Sequence, residues 1–261
     1  HHPGTPYGFE VPTVAQALRS RFPDAELQVV TGCGVEESED DDIEAAVAAA
    51  EAADVVVAVV GDRAGLFGIG RVGEGNDVES LALPGAQRAL VEAAVATGTP
   101  VVMVVITGRP YELDWALDGE GRAAAVLQSF FPGEEGASAI ADILAGSVNP
   151  SGRLPVSLPR SAGAQPYSYL HPTLGGDSEI TSADSSPVRP FGFGLSYTSF
   201  RHSALAAPVV ARNGDDLTVT VTVQNVGDRA GTDVVQVYAH LPYRSVTRPV
   251  AQLVAFARVS V

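Results

Sequence analysis

The densest chemistry in this chain lies in one glycine-rich run, GIGRVGEGNDVESLALPG, residues 68–85. Its residue types allow two kinds of work. Gly68, Gly70 and Gly73 follow the G-x-G-x-x-G spacing whose backbone amides cradle a pyrophosphate at the start of a helix. The same run sets a carboxylate, Glu74, between Gly73 and Gly75, where small neighbours lower the cost of unusual backbone angles and let the side chain reach outward. A carboxyl group presented in this way can donate a proton to a leaving oxygen or take one from water. The phosphate reading requires the glycines at a strand-to-helix turn. Here the hydrophobic pattern ends the preceding strand near Gly61 and starts the next helix only around Pro84, which favours the acid. A solvated loop glutamate is the plainer use of Glu74.

Other side chains compete for roles. Glu79 is the rival acid, though it lies closer to the following helix and has no flanking glycine. Asp62 directly follows a strand, at the sheet edge where a ligand's hydroxyl groups would sit; capping a turn is the other use of an aspartate there. Glu134 and Glu135 follow Pro132-Gly133 at a helix start and suit the helix dipole. Asp114 and Trp115 read as the start of a helix, with a ligand contact as the lesser use. The five histidines show no metal-ligand spacing, and a single cysteine, Cys33, excludes an internal disulfide or a cysteine metal cage. No metal and no cofactor is expected.

These residues need a scaffold, and the hydrophobic pattern describes one. DVVVAVVG (54–61), PVVMVVITG (100–108) and AAAVLQSFF (123–131) are β-branched runs of the kind found in parallel strands buried on both faces. AELQVV (25–30) reads as a further strand. Helical patterns lie between and around them: VPTVAQALRSRF (11–22), the acidic stretch from Glu36 into EAAVAAAEAAD, PGAQRALVEAAVATG closing at Gly98, and EEGASAIADILAG closing at Gly146. Strand–helix alternation predicts an α/β fold, an open and mostly parallel sheet flanked by helices, over residues 1–160. Asn149, Ser151 and Arg153 in NPSGRLP read as turn chemistry locking a last sheet strand. Residues 161–199 lack periodicity and read as an irregular excursion packing on that domain; Phe191, Phe193 and Tyr197 read as packing between domains, with walling a ligand site as their other use. LTVTVTVQNVG, GTDVVQVYAHL and PVAQLVAFARVSV then alternate as strands of a partial antiparallel β-sandwich over 200–261, which the sequence is expected to leave incomplete.

Bulk composition narrows the partners. The chain has 261 residues and a formal net charge of −15, so polyanions such as nucleic acid and anionic membrane surfaces are repelled. No apolar run approaches the ~18 residues of a spanning helix. Residues 1–20 lack the basic start and apolar core of a secretory leader, which leans toward the cytoplasm without assigning a compartment. The basic residues are all arginine, a usage typical of GC-rich bacterial genes.

Four separated segments carry a family resemblance. GEGNDVESLALPG, VVMVVITGRP, FFPGEEGASAIADILAGSVNPSGRLPVSLP and RPFGFGLSYTSF, in that order, resemble the carboxyl-terminal half of glycoside hydrolase family 3, exo-acting β-glucosidases, β-xylosidases and their relatives. The resemblance runs from about residue 54 to the end and implies an α/β sandwich domain followed by a fibronectin type III-like domain. In that family a TIM-like barrel carries an aspartate nucleophile, and the sandwich domain supplies the acid/base on a loop leaning over the barrel. By resemblance Glu74 matches that acid/base. Family members commonly read E-G-x-D-R, whereas Val78 follows Asp77 here, which removes the charge partner an arginine would supply. The barrel nucleophile has no counterpart in this chain, so the expected partners are a β-linked glycoside and an amino-terminal barrel segment or chain. The chain alone is expected to be inactive. A non-catalytic carbohydrate-binding or scaffolding fragment is the alternative.

Overall fold

A computed structural model describes residues 11–36, 42–176, 178–210, 212, 214–241 and 245–261. Its centre is a parallel sheet in the order β1-β2-β3, made of β1 (Val56–Gly61), β2 (Val101–Ile106) and β3 (Ala125–Gln128). Val56 stands opposite Val101, and Met103 opposite Val126. Valine and isoleucine dominate these strands because branched side chains pack well on a pleated surface. β2 lies in the middle and is buried on both faces: Met103, Val104 and Val105 are 0% exposed. Each such burial contributes roughly 1.5–3 kcal/mol. β1 is an edge strand, and its Val59 remains exposed.

Helices cover both faces. α1 (Val14–Arg21) starts at a capping box made by Thr13 and Gln16 and packs against α5 (Gly136–Leu144) through Leu18, Ala137 and Ala141, with Val57 of β1 against the same cluster. α2 (Ile43–Glu51) and α3 (Gln87–Ala96) bring Ala50, Val91 and Ala94 to the cluster that holds Ala58, Val60, Met103 and Val105. The two-residue period of a strand separates Val57 from Ala58 and Val60 in this way. A short α4 (Asp114–Leu117) adds Ala116 to that second cluster.

Two expectations change. Residues 25–30 do not form a strand; only Leu27 turns onto the α1–α5 cluster, while Val29 and Val30 stay exposed, so pairing there has little apolar surface to bury. The acidic stretch lies partly outside the described residues, at 37–41. Its end, Asp42, caps α2 by accepting the Ala45 N–H at 2.9 Å.

Residues 200–261 form two antiparallel pairs, β4 (Phe200–Ala206) with β5 (Thr220–Asn225) and β6 (Thr232–Ala239) with β7 (Gln252–Ser260). β4 was not legible because FRHSALA is mixed in polarity and exposed beyond its first residue. NPSGRLP forms no sheet strand. Its side chains instead tie the α/β part to the β part: Asn149 accepts the Tyr197 N–H at 2.7 Å, Arg258 of β7 donates to Ser151 at 3.0 Å, and Arg153 pairs with Asp233 of β6 at 3.1 Å. Of the aromatic residues expected at this junction, Tyr197 spans it, donating its hydroxyl to Ile143 O of α5 at 2.9 Å while Arg229, between β5 and β6, lies 5.4 Å from its ring.

Candidate active site

The carboxyl end of β1 is fixed by a buried amide. Gln87, at the start of α3, accepts the Gly61 N–H at 2.6 Å and donates to Gly61 O at 2.8 Å and to Pro84 O at 3.0 Å. From there the chain leaves the sheet as one coil. Arg63–Phe67 runs beside 71–74, joined by Gly65 N–H to Val72 O (2.8 Å), Arg71 N–H to Arg63 O (2.9 Å) and Phe67 N–H to Glu74 O (2.8 Å). The coil closes only because Gly73 lacks a side chain: it holds φ at 119°, and a Cβ there would stand 2.0 Å from Gly65 O.

Two side chains clamp the coil. Asn76, 4% exposed, donates from Nδ2 to Gly65 O at 2.9 Å and to Glu74 O at 3.2 Å, so it holds both arms together at the residue of interest. Arg109, just beyond β2, donates from Nη2 to Arg71 O at 2.5 Å and Asn76 O at 2.8 Å. A third anchor is the bidentate pair of Arg71 with Glu36, whose carboxyl is held below its ordinary range by the hydrogen bond and charge of Arg71.

Asp62 is buried at the root of the coil. Its Oδ1 accepts the Gly108 N–H at 3.0 Å and its Oδ2 accepts the Tyr111 hydroxyl at 2.8 Å. Both partners come from the stretch beyond β2 rather than from the turn that follows Asp62, so the side chain caps no local turn and ties the ends of β1 and β2 together. Burial first, then the hydrogen bond and charge of Asp62, push the Tyr111 phenol well above its ordinary value.

Glu74 is exposed, and its carboxylate makes no hydrogen bond or ion pair to another described residue. Asp77 and the rival acid Glu79 line a cavity of about 420 Å³ together with Gly68, Gly75 and Asn76, a cavity that Glu74 itself does not line. The G-x-G-x-x-G run does not meet a helix start: β1 ends at Gly61 and α3 begins at Gln87, so no helix amino terminus backs these glycines for a pyrophosphate. Asp114 opens α4, and Trp115 donates to Glu112 O at 3.0 Å, with Arg88 stacked 5.3 Å from its ring. Among the described residues no group of three or more His, Cys, Asp or Glu could hold a metal ion, and no helix is long and apolar enough to cross a membrane. Sequence reasoning missed Asn76, Arg109 and Tyr111. Their positions within GEGND and ITGRPY were the available signal.

The profile of the glycosyl hydrolase family 3 C-terminal domain matches residues 3–197, three quarters of the chain, and that of the fibronectin type III-like domain matches 233–261. The chain belongs to glycosyl hydrolase family 3. It is 40% identical over 230 residues to a periplasmic β-glucosidase of Salmonella typhimurium, covering 84% of this chain and 29% of that protein. It is 36% identical to a β-xylosidase of Formosa agariphila, covering 90% and 32%. A crystal structure of a mutant β-glucosidase from Listeria innocua in complex with laminaribiose superposes with a TM-score of 0.82 at 32% identity, covering 95% of this chain and 34% of that one. The family 3 chain described here thus spans about a third or less of the length of these relatives.

Proposed function

We propose that Glu74 is the general acid/base of an exo-acting retaining β-glycosidase of the β-glucosidase or β-xylosidase type. The observation that carries this reading is an exposed carboxylate, without a side-chain partner among the described residues, on a coil whose own backbone is clamped by Asn76 and Arg109 at the carboxyl edge of the sheet. Such a coil holds the backbone of the acid in place. The nucleophile is a second carboxylate on a barrel domain outside this chain. In a retaining displacement the two carboxyl groups stand about 5–5.5 Å apart. Glu74 protonates the glycosidic oxygen as the C–O bond breaks and the second carboxylate bonds to the anomeric carbon. Glu74 then takes a proton from the water that attacks that carbon, releasing the sugar and restoring both groups. No cofactor enters the cycle. Asp62 acts beneath, ordering Gly108 and Tyr111 at the root of the coil.

The test is Glu74→Gln in the full-length protein. With an unactivated leaving group, kcat/KM falls about 10²–10⁴-fold. With a dinitrophenyl leaving group the first step survives, and azide restores turnover as a β-glycosyl azide. Unchanged turnover of poor leaving groups, or the same losses from Glu79→Gln instead, overturns the assignment. This chain alone hydrolyses no glycoside, and adding the barrel segment in trans restores hydrolysis. If both pieces fold and associate without activity, a carbohydrate-binding or scaffolding role takes its place.

A further inference from the structure

Three carboxylates crowd the end of the coil. Glu74, Asp77 and Glu79 fall within six consecutive positions, all are exposed, and none of their carboxylates makes a hydrogen bond or ion pair to another described residue. Asp77 and Glu79 line the cavity of about 420 Å³. Arg71 lines it too, but its guanidinium is committed to Glu36 through Nε and Nη2. Arg109 reaches the backbone carbonyls of Arg71 and Asn76 rather than these carboxylates. Like charges this close repel, and covering them without a counter-charge would cost more still. Asn76 adds a second, uncharged signal. It lines the same cavity, is 4% exposed and uses its Nδ2 on the coil, while its Oδ1 is buried with no hydrogen-bond partner among the described residues. Buried acceptors are rarely left unmatched.

The unmatched groups of this cavity, two carboxylates and an amide oxygen, are all acceptors, so the occupant it suits is a donor-rich cation. A guanidinium answers that description, with several N–H donors in one plane and a geometry matched to carboxylates. Gly68, Gly70 and Gly75 form walls without side chains, which leaves room for the stem of a long residue. The basic residues of this chain are all arginine, and the chain spans about a third or less of the length of its relatives. We infer that the cavity is a socket for an arginine of the amino-terminal barrel segment, whose side chain neutralises Asp77 and Glu79 and pins the coil against that segment. The inference rests on the reading that a barrel segment packs over this coil, and not on Glu74 being the acid.

The experiment is arginine footprinting of the full-length protein with phenylglyoxal, read by mass spectrometry. One barrel arginine is expected to react slowly in the parent. In the double variant Asp77→Asn, Glu79→Gln, which keeps the shape of both side chains and removes both charges, the same arginine should react about fivefold faster or more. Arg88 and Arg189, paired with Glu92 and Asp118 away from the cavity, should keep their rates. Val78→Arg sets a guanidinium on the cavity wall from within the chain and should expose that barrel arginine with both carboxylates intact. If the double variant speeds every arginine alike, Val78→Arg decides alone. No change at any barrel arginine overturns the inference. So does a barrel arginine that answers to the double variant but not to Val78→Arg, because it is then held outside the cavity. The readout is modification rather than turnover, so the two assignments fail separately: a Glu74→Gln enzyme of normal activity that still protects the arginine loses only the acid.

Discussion

Asp62 and Tyr111 show how one pair of residues can set the root of the coil that carries Glu74. The phenol is 2% exposed and donates to Oδ2, so Tyr111→Phe leaves a buried carboxylate oxygen without its donor. The expected cost is about 1–3 kcal/mol in urea denaturation at neutral pH. The pH dependence has a definite sign. Because the folded state raises the phenol's pKa, its contribution is fully present below the unfolded value and is lost as pH rises from there toward the folded value. Stability of the parent should therefore decline steeply above about pH 10, and Tyr111→Phe should remove part of that decline. A parallel alkaline decline in both proteins would show that Tyr111 titrates normally.

Among the elements, the coil after β1 is held by hydrogen bonds to backbone carbonyls rather than by a core. Asn76→Ala deletes the two bonds from Nδ2 and loosens both arms at once. Native-state exchange of the Gly65, Phe67 and Arg71 amides, each bonded across the coil, should then accelerate about 5–30-fold, the equivalent of about 1–2 kcal/mol, while amides in β2 keep their protection. Uniform acceleration throughout the sheet would mean that Asn76 supports the whole domain. The presence of this element was legible from glycines that suit a tight coil and from Glu74 between two of them. Its clamp was not, because Arg109 and Glu36 reach it from distant stretches whose approach no local period encodes.

For the molecule as a whole, the α/β part and the β strands meet through a largely buried ion pair. Arg153 and Asp233 have side chains only 15% and 7% exposed, and His202 Nε2 lies 2.6 Å from the other oxygen of Asp233. Asp233→Ala leaves the guanidinium buried without its anion, and a loss of about 3–5 kcal/mol is expected in denaturant titrations. Asp233→Asn, which keeps the shape and an acceptor, should lose less. Near-parent stability in Asp233→Ala would place the joint elsewhere, in Asn149 or in Tyr197. The sequence reading placed turn chemistry in NPSGRLP but aimed it at a sheet strand; the structure aims it across the junction.

What the residues alone determined is what depends on near neighbours. The β-branched runs of β1 to β3, the helices between them, the four family segments and an acid between glycines are all properties of short stretches, because strand and helix periods and turn costs act over a few residues. The tertiary structure decided which polar groups meet. It gave Asp62 a tyrosine and an amide, gave Arg153 an aspartate from β6, left residues 25–30 without a sheet, and kept Phe67 in solvent beside Glu74. Those outcomes depend on the closure of long loops, where the choice of a hydrogen-bond partner is made by the whole packed fold rather than by the residue's own neighbourhood.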